Sequence, residues 1–231
     1  MPLPLVSVVI PVFNGERFLK EALESVLAHD YAPLDVVAVD DGSTDASGAI
    51  LRSYPAVRYE AQHNQGNAAA RNRGVAIARG EFIAFIDQDD RWRCGKLRNQ
   101  IAALGTQQAP GYSLCHCELL LDAGMALPPT YDANYFSKPF PGYLPSALIL
   151  HRRAFDRVGP FDTSYRYAND TDWISRATDQ GVPCAMLNEV YVDKRVHDTN
   201  LGHNAPEMRK DIMRMVRSAV ERKRRAGSTC L

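Results

Sequence analysis

The sequence has no G-x-G-x-x-G after its first strand-like run and no G-x-x-x-x-G-K-S/T anywhere. Glycine loops of those kinds cradle the phosphates of dinucleotides and of P-loop nucleotides, so both ligand classes are disfavoured. It also lacks net charge. The 27 Lys and Arg balance 27 Asp and Glu, and no overall field draws the chain to nucleic acid. No apolar run approaches the length of a membrane span, and no basic segment leads into a long apolar run at the start. Neither a membrane-spanning helix nor a secretory signal is therefore expected. The five cysteines are odd in number, and none stands at C-x-x-C spacing. That argues against a disulfide framework or a structural zinc and points to a reducing, cytoplasmic setting. Cys115-His116-Cys117 has a metal-like look. In the alternating stretch Tyr112 to Leu121, however, its two cysteines fall on one side of a strand.

What is present is an ordinary globular composition, 45% hydrophobic and 23% charged over 231 residues. That length suffices for one large domain with a well-buried core. The first half alternates strand and helix signals. Val6 to Val12 is a β-branched run suited to a central parallel strand. Phe18, Leu19, Ala22, Leu23, Val26 and Leu27 recur at helical spacing. Asp35 to Asp40 reads as a second strand, running into Asp41-Gly42-Ser43-Thr44-Asp45, a turn with a ready cap for the helix carrying Ile50 and Leu51. Val57 to Ala61 is a third strand. Ala68, Ala69, Ala70, Ala76 and Ala78 make a close-packing helix, and Phe82 to Ile86 a fourth strand. This alternation predicts a parallel sheet with helices on both faces.

The fourth strand ends in Asp87-Gln88-Asp89-Asp90. Carboxylates crowded at a buried strand end repel one another and cost several kcal/mol each unless a cation offsets them. Hard divalent ions such as Mg²⁺ or Mn²⁺ favour oxygen donors and leave positions open for phosphate oxygens. Taken alone, the cluster is either such a metal site or a solvated acidic turn. Ligands of parallel α/β sheets bind beyond the carboxyl ends of the strands. Here Phe13-Asn14, Asp40-Asp41, His63-Asn64 and Asp87 to Asp90 all stand at those ends. Four polar strand ends on one edge favour the metal-assisted phosphate site.

The ordered set Val6-Ser7-Val8-Val9-Ile10-Pro11-Val12-Phe13-Asn14-Gly15, Val39-Asp40-Asp41-Gly42-Ser43-Thr44-Asp45, Ala69-Ala70-Arg71-Asn72-Arg73-Gly74 and Gly80 to Asp90 resembles the opening of a family-2 glycosyltransferase. Val158-Gly159-Pro160-Phe161-Asp162 is similar to the family's "VGxFD". Asn169-Asp170-Thr171-Asp172-Trp173 through Arg176 resembles its "ED…W…R" helix, and Arg195-Val196-His197-Asp198-Thr199-Asn200 its "RxHxxN". The resemblance covers about residues 5 to 201. It implies a single GT-A domain: an α/β fold with a mostly parallel, Rossmann-like sheet and helices on both faces. A nucleotide-sugar-binding half over residues 1–105 and an acceptor and catalytic half over 106–205 follow from it, and beyond its reach the residue pattern itself adds a basic amphipathic C-terminal helix over 206–231.

The implied activity is inverting transfer of a sugar from a nucleoside-diphosphate sugar, a UDP-sugar being favoured, to a hydroxyl acceptor such as a glycan or lipid-linked saccharide. By the same resemblance, Phe13 lies against the base with the backbone of Pro11 and Val12, and Asp41 accepts hydrogen bonds from the base. Arg71 is a partner of the base or diphosphate. Asp87 lies near the ribose, with Gln88 among the nucleotide-sugar contacts. Asp89 binds Mn²⁺ or Mg²⁺, Asp90 stands behind it, and His197 is a late metal or phosphate contact. Inverting transfer needs a carboxylate to take the acceptor's proton. Asp170, ahead of a helix whose Trp173, Ile174 and Ala177 face inward, is the candidate, since the positive helix end favours the ionised form. Asp172 is the competing acid. Asn169 stands where the family usually has Glu, keeping a hydrogen bond but not the charge.

Two segments stay open. Residues 122 to 147 hold Pro128, Pro129, Pro139, Pro141, Pro145, Tyr131, Tyr135 and Tyr143, and form either an acceptor-binding loop or a structural cover. In the tail, Met208, Ile212, Met215, Val216, Ala219 and Val220 share a helical stripe among many Lys and Arg. This helix either docks on the core with a basic outer face or makes peripheral contact with an anionic membrane through 206–225. The alternatives for the whole chain are a sugar-1-phosphate nucleotidyltransferase and a non-catalytic nucleotide-sugar-binding module.

Overall fold

A computed structural model describes residues 3–105, 109–122, 124, 137–198, 200 and 205–228. The all-buried run Val6–Val12 forms β1 at the heart of the sheet. Its parallel neighbours are β2 (Leu34–Asp40) and β4 (Phe82–Phe85), and β3 (Val57–Ala61) pairs in parallel beyond β2. Helices α1 (Leu19–Leu27), α2 (Ser47–Arg52) and α3 (Asn67–Ile77) supply the crossovers. Strand alternation divides β1 between two cores. Val6, Val8, Ile10 and Val12 face α1, with α4 (Lys96–Gly105) and Trp92 in the same cluster. Val9 faces α3, where Gly74 is required because a Cβ there would come within 2.3 Å of Val9 Cγ1. The small-residue helix is thus explained by close backbone approach.

Beyond β4 the sheet becomes mixed. Two-residue β5 is Arg91–Trp92, followed in the chain by β6 (Tyr112–Leu121), β7 (Phe140–Pro141), a 3₁₀ turn (Pro145–Ala147) and β8 (Ile149–His151). Helices α5 (Arg152–Val158) and α6 (Asn169–Asp179) precede the long β9 (Cys184–Val196). The order is β3-β2-β1-β4-β8-β6-β9-β5, with β7 beside β6. The long ladders are parallel. Short antiparallel pairs join β4 to β8, β8 to β6, and β9 to β5. The expected α/β fold, mostly parallel with helices on both faces, is what forms. Cys115 and Cys117 lie buried on β6, as strand alternation predicts.

One expectation needs correction. Helix α6 starts at Asn169, so Asp170 lies within its first turn and not ahead of it. Helix α7 (Ala205–Ser228) docks on α6, using only part of its apolar stripe. Of that stripe Met215 is buried, against Tyr165 and Ala168, whereas Ile212, Val216 and Val220 are exposed. Polar contacts supply the rest of the docking. Asp211 accepts from the backbone N–H groups of Arg166 and Tyr167, and Arg222 pairs with Asp179 at 2.9 Å and Asp172 at 3.6 Å. Among the described residues no helix is long and apolar enough to cross a membrane. Pro128, Pro129, Tyr131 and Tyr135 lie outside the described residues. Phe140–Pro141 pairs with β6, and Tyr143 is exposed.

Candidate active site

The first wall of the site is the turn after β1. Asn14 adopts φ 49°, a left-handed conformation that Asn tolerates better than most residues. The turn is bolted to the one after β2: Asn14 N–H donates to Ser43 Oγ, Gly15 N–H to Ser47 Oγ, and Thr44 N–H to Asn14 Oδ1. Gln88 clamps the same turn from the other side. Its Oε1 accepts from Phe13 N–H at 2.8 Å and its Nε2 donates to Phe13 C=O at 2.9 Å. Gly15 makes room for that amide, which a Cβ would approach to 2.3 Å. Pro11 and Val12 are buried in β1, and the Phe13 ring beyond them is 44% exposed. An aromatic face held open to solvent by a fixed backbone is a ready stacking surface.

At the end of β2 the two aspartates divide their work. Asp40 accepts from Ser43 N–H and Tyr59 OH, and Asp45 accepts from Ser47 N–H at the start of α2. Asp41, 3% exposed, accepts from Gln62 Nε2 and Gln65 N–H through Oδ1 and from Gly66 N–H through Oδ2. It therefore holds the turn into α3, and one lone pair on Oδ2 remains for another donor.

The strand β4 delivers three carboxylates whose ligand oxygens lie within 4.8 Å of one another, in Asp87, Asp89 and Asp90. Asp90 is fully buried and faces inward. It accepts from Ser146 OH at 2.5 Å and Arg195 N–H at 3.0 Å. Ser146 Oγ in turn accepts from Asp87 N–H, which fixes the loop at both ends. Asp89 Oδ2 lies 2.9 Å from His197 Nε2 and accepts from Asn200 Nδ2 at 2.9 Å. Arg195 ties this edge together, donating to Asp89 C=O and to Glu21 with its guanidinium over the Phe18 ring.

Lys194 stands among all three acids. Its Nζ lies 3.1 Å from Asp90, 3.8 Å from Asp87 and 3.9 Å from Asp89. Burial acts on each group and the neighbours decide the outcome. Burial raises the Asp90 carboxyl, and the charges of Asp89 and Asp87 raise it further against the pull of Lys194. Burial alone would raise Asp89 too, but Lys194 and the His197 hydrogen bond outweigh it and hold that carboxyl low. The Lys194 ammonium would be lowered by burial, yet the three carboxylates hold it well above its ordinary value. The donor set is all oxygen and suits Mg²⁺ or Mn²⁺, and the Lys194 ammonium is the positive charge that sits among those oxygens here.

Arg71 joins this edge to the start of α6. It is 3% exposed and donates to Asp87 Oδ1 at 2.7 Å and to Asn169 Oδ1 at 2.8 Å. Asn169 Nδ2 donates onward to Asn67 Oδ1, so the residue standing in the usual glutamate's place is fully engaged. Asp170, next to it, accepts from Thr171 N–H at 2.7 Å. Burial raises the Asp170 carboxyl above its ordinary value, and Asp87 adds to this, while Arg71 opposes it. That outcome differs from the ionising effect expected of a helix N-terminus, because desolvation exceeds it. A half-buried carboxyl with a raised pKa is the better proton acceptor. Asp172 is occupied by Arg176 at 2.7 Å on the far side of α6 and does not compete.

The structure therefore brings Pro11, Val12, Phe13 and Gln88 to one wall, and Asp87, Asp89 and His197 to the floor. Arg71 leads from there to Asp170. Sequence reasoning missed Lys194, Ser146 and the anchoring part of Arg195. Lys194 carried a usable signal. It shares strand parity with Val192 and Val196, both wholly buried, which aims it at the interior.

Residues 7–113 match the family model described as glycosyl transferase family 2. An uncharacterized glycosyltransferase of Rickettsia typhi is 30% identical over 222 residues, which cover 87% of this chain and 67% of that protein. Among solved structures, S. aureus TarS 1–349 in complex with UDP superposes with a TM-score of 0.69 at 21% identity, over 93% of this chain and 65% of that 1–349 chain. The mannosyltransferase PcManGT of Pyrobaculum calidifontis, in complex with GDP-Man and Mn²⁺, gives 0.72 at 19%, over 94% of this chain and 64% of its own. The chain thus spans just under two thirds of those two structures, and they share its GT-A fold. With its ordered motifs on that fold and a relative matched over most of both lengths, the chain belongs to glycosyl transferase family 2.

Proposed function

We propose that the chain transfers a sugar from a nucleoside-diphosphate sugar, a UDP-sugar by preference, to a hydroxyl of a glycan or lipid-linked saccharide, with inversion at the anomeric carbon. One observation carries this reading. The carboxylates at the end of β4 are joined through a single guanidinium, Arg71, to the turn of α6 that holds Asp170. The Phe13 ring offers the base a stacking face, and Asp41 keeps one acceptor for it. Asp87 and Gln88 edge the donor's ribose. Asp89, in contact with His197, is the metal end of the site. A divalent ion bound there supplies Lewis-acid stabilisation of the negative charge on the departing diphosphate. Arg71 and Lys194 add fixed positive charge to that side. Asp170 takes the proton of the attacking hydroxyl, and the raised carboxyl makes that transfer easier.

The bound UDP of TarS and the GDP-Man and Mn²⁺ of PcManGT support a nucleotide donor and a divalent ion for this fold. The test is incubation with Mn²⁺ and a panel of nucleotide-sugars, with nucleoside diphosphate release as the readout and NMR of the product for anomeric configuration. Pyrophosphate release from sugar-1-phosphate plus nucleoside triphosphate would favour the nucleotidyltransferase alternative instead.

The reading extends to the tail. The outward side of α7 carries exposed Ile212, Met213, Val216 and Val220, and basic Arg209, Lys210, Arg217 and Lys223 lie along the same helix. Apolar side chains interspersed with cations fit the headgroup region of an anionic membrane. A protein resting there by α7, on the cytoplasmic side, would meet a lipid-linked acceptor.

A further inference from the structure

Lys194 is more than a charge near the site. Its Nζ lies within 4 Å of each of the three carboxylates that offer metal-ligand oxygens, so it occupies the electrostatic centre of the cluster. The side chain is 22% exposed and comes from β9, whereas the acids come from the loop after β4. It is therefore an independent, built-in cation. Asp87, Asp89 and Asp90 face two cations, Lys194 and Arg71, which leaves at most one formal negative charge to attract a metal. A divalent ion entering alone also meets the ammonium at close range, where two positive charges a few ångströms apart in a partly buried site repel strongly. A nucleoside diphosphate reverses the balance, because its oxygens supply the charge that both cations require.

We propose that Lys194 is the resident cation of the carboxylate cluster, keeping a divalent metal off it until the nucleoside diphosphate arrives. This rests on the proposed function above. It assigns the metal to the donor-bound state, with Lys194 as the positioning residue that makes loading depend on donor. The same ammonium prevents the acids from repelling one another when no metal is present.

The test is Mn²⁺ binding followed by electron paramagnetic resonance on the full chain, with and without UDP, for wild type, Lys194→Met and Lys194→Arg. Wild type and Lys194→Arg are expected to bind Mn²⁺ weakly alone, and at least about tenfold more tightly with UDP. Lys194→Met is expected to bind Mn²⁺ alone about tenfold more tightly than wild type, with a smaller further gain from UDP. Damage to the site would weaken Mn²⁺ binding, the opposite direction. An unchanged or weaker Mn²⁺ affinity in folded Lys194→Met overturns the inference. Should that variant not fold, wild type decides: equal Mn²⁺ affinity with and without UDP overturns it, and a UDP-dependent gain kept by Lys194→Arg supports it. Absence of any Mn²⁺-dependent UDP binding in wild type overturns the proposed donor site itself, and this inference with it.

Discussion

The Arg71 guanidinium donates to Asp87 at 2.7 Å, and its other terminal nitrogen reaches Asn169, one residue from the proposed base. A single buried cation thus couples the carboxylate edge of the sheet to the first turn of α6. Removing it leaves Asp87 beside Asp89 and Asp90, with the Lys194 ammonium 3.8 Å away. Arg71→Ala is expected to destabilise the protein by about 3–5 kcal/mol, the usual cost of breaking a buried pair from one side. Arg71→Lys is expected to rescue only part of this, since a lysine lacks the fork that reaches both partners. Urea denaturation measures both, and a loss below about 1 kcal/mol for Arg71→Ala would refute the coupling.

Asp170 carries the second expectation. Asp170→Asn should lower kcat by about 10²–10⁴-fold while leaving donor affinity intact. Loss of donor affinity in step with kcat would argue against its role as base.

The raised Asp170 carboxyl also fixes two pH effects. The base works ionised, so kcat/KM should rise with pH through an acidic limb lying above the usual aspartate range and then level. Stability runs the other way. A carboxyl whose folded pKa exceeds its unfolded value loses stability as pH climbs past the unfolded value, so ionised Asp170 costs stability at neutral pH. Asp170→Asn is therefore expected to raise Tm at neutral pH, with the gain shrinking as pH is lowered. A lower Tm at pH 7 contradicts the assignment.

Asn169 permits a cleaner probe. Asn169→Glu would place a carboxylate against Arg71, drawing off charge that now opposes the rise in Asp170. The acidic limb of kcat/KM is expected to move to higher pH. A limb that stays in place or moves down shows that Arg71 does not act on Asp170.

The outward face of α7 gives a test away from the chemistry. Val216→Glu with Val220→Glu should abolish co-sedimentation with vesicles containing anionic lipid. Tm should stay nearly constant, because exposed substitutions typically change stability by no more than about 0.5 kcal/mol. Unchanged sedimentation would remove the membrane reading of the tail.

The first half of the fold was legible in the sequence because its strands are buried on both faces and read as near-continuous apolar runs, Val6–Val12 above all. Polar residues then mark their ends, and the carboxylate site follows. The second half was less legible. Ile149–His151 and Phe140–Pro141 are too short to show a period, yet they are where the sheet turns antiparallel. The tail was legible only in part. Asp211, Arg214, Ser218 and Arg222 join Met215 in docking α7, so its hydrophobic stripe straddles the buried and exposed sides of the helix. Lys194 stayed hidden because a lysine beside an arginine reads as surface charge unless its strand parity is followed.

The central claim is a metal-assisted grip on a nucleoside diphosphate by the acids after β4. It is tested most directly by thermal shift with UDP, with and without Mn²⁺, on wild type and Asp89→Ala. Ligand bound to the native state raises Tm by mass action. UDP is expected to stabilise wild type only when Mn²⁺ is present, and Asp89→Ala to lose that stabilisation. Equal stabilisation by UDP in chelator, or an undiminished Mn²⁺-dependent shift in Asp89→Ala, would contradict the claim.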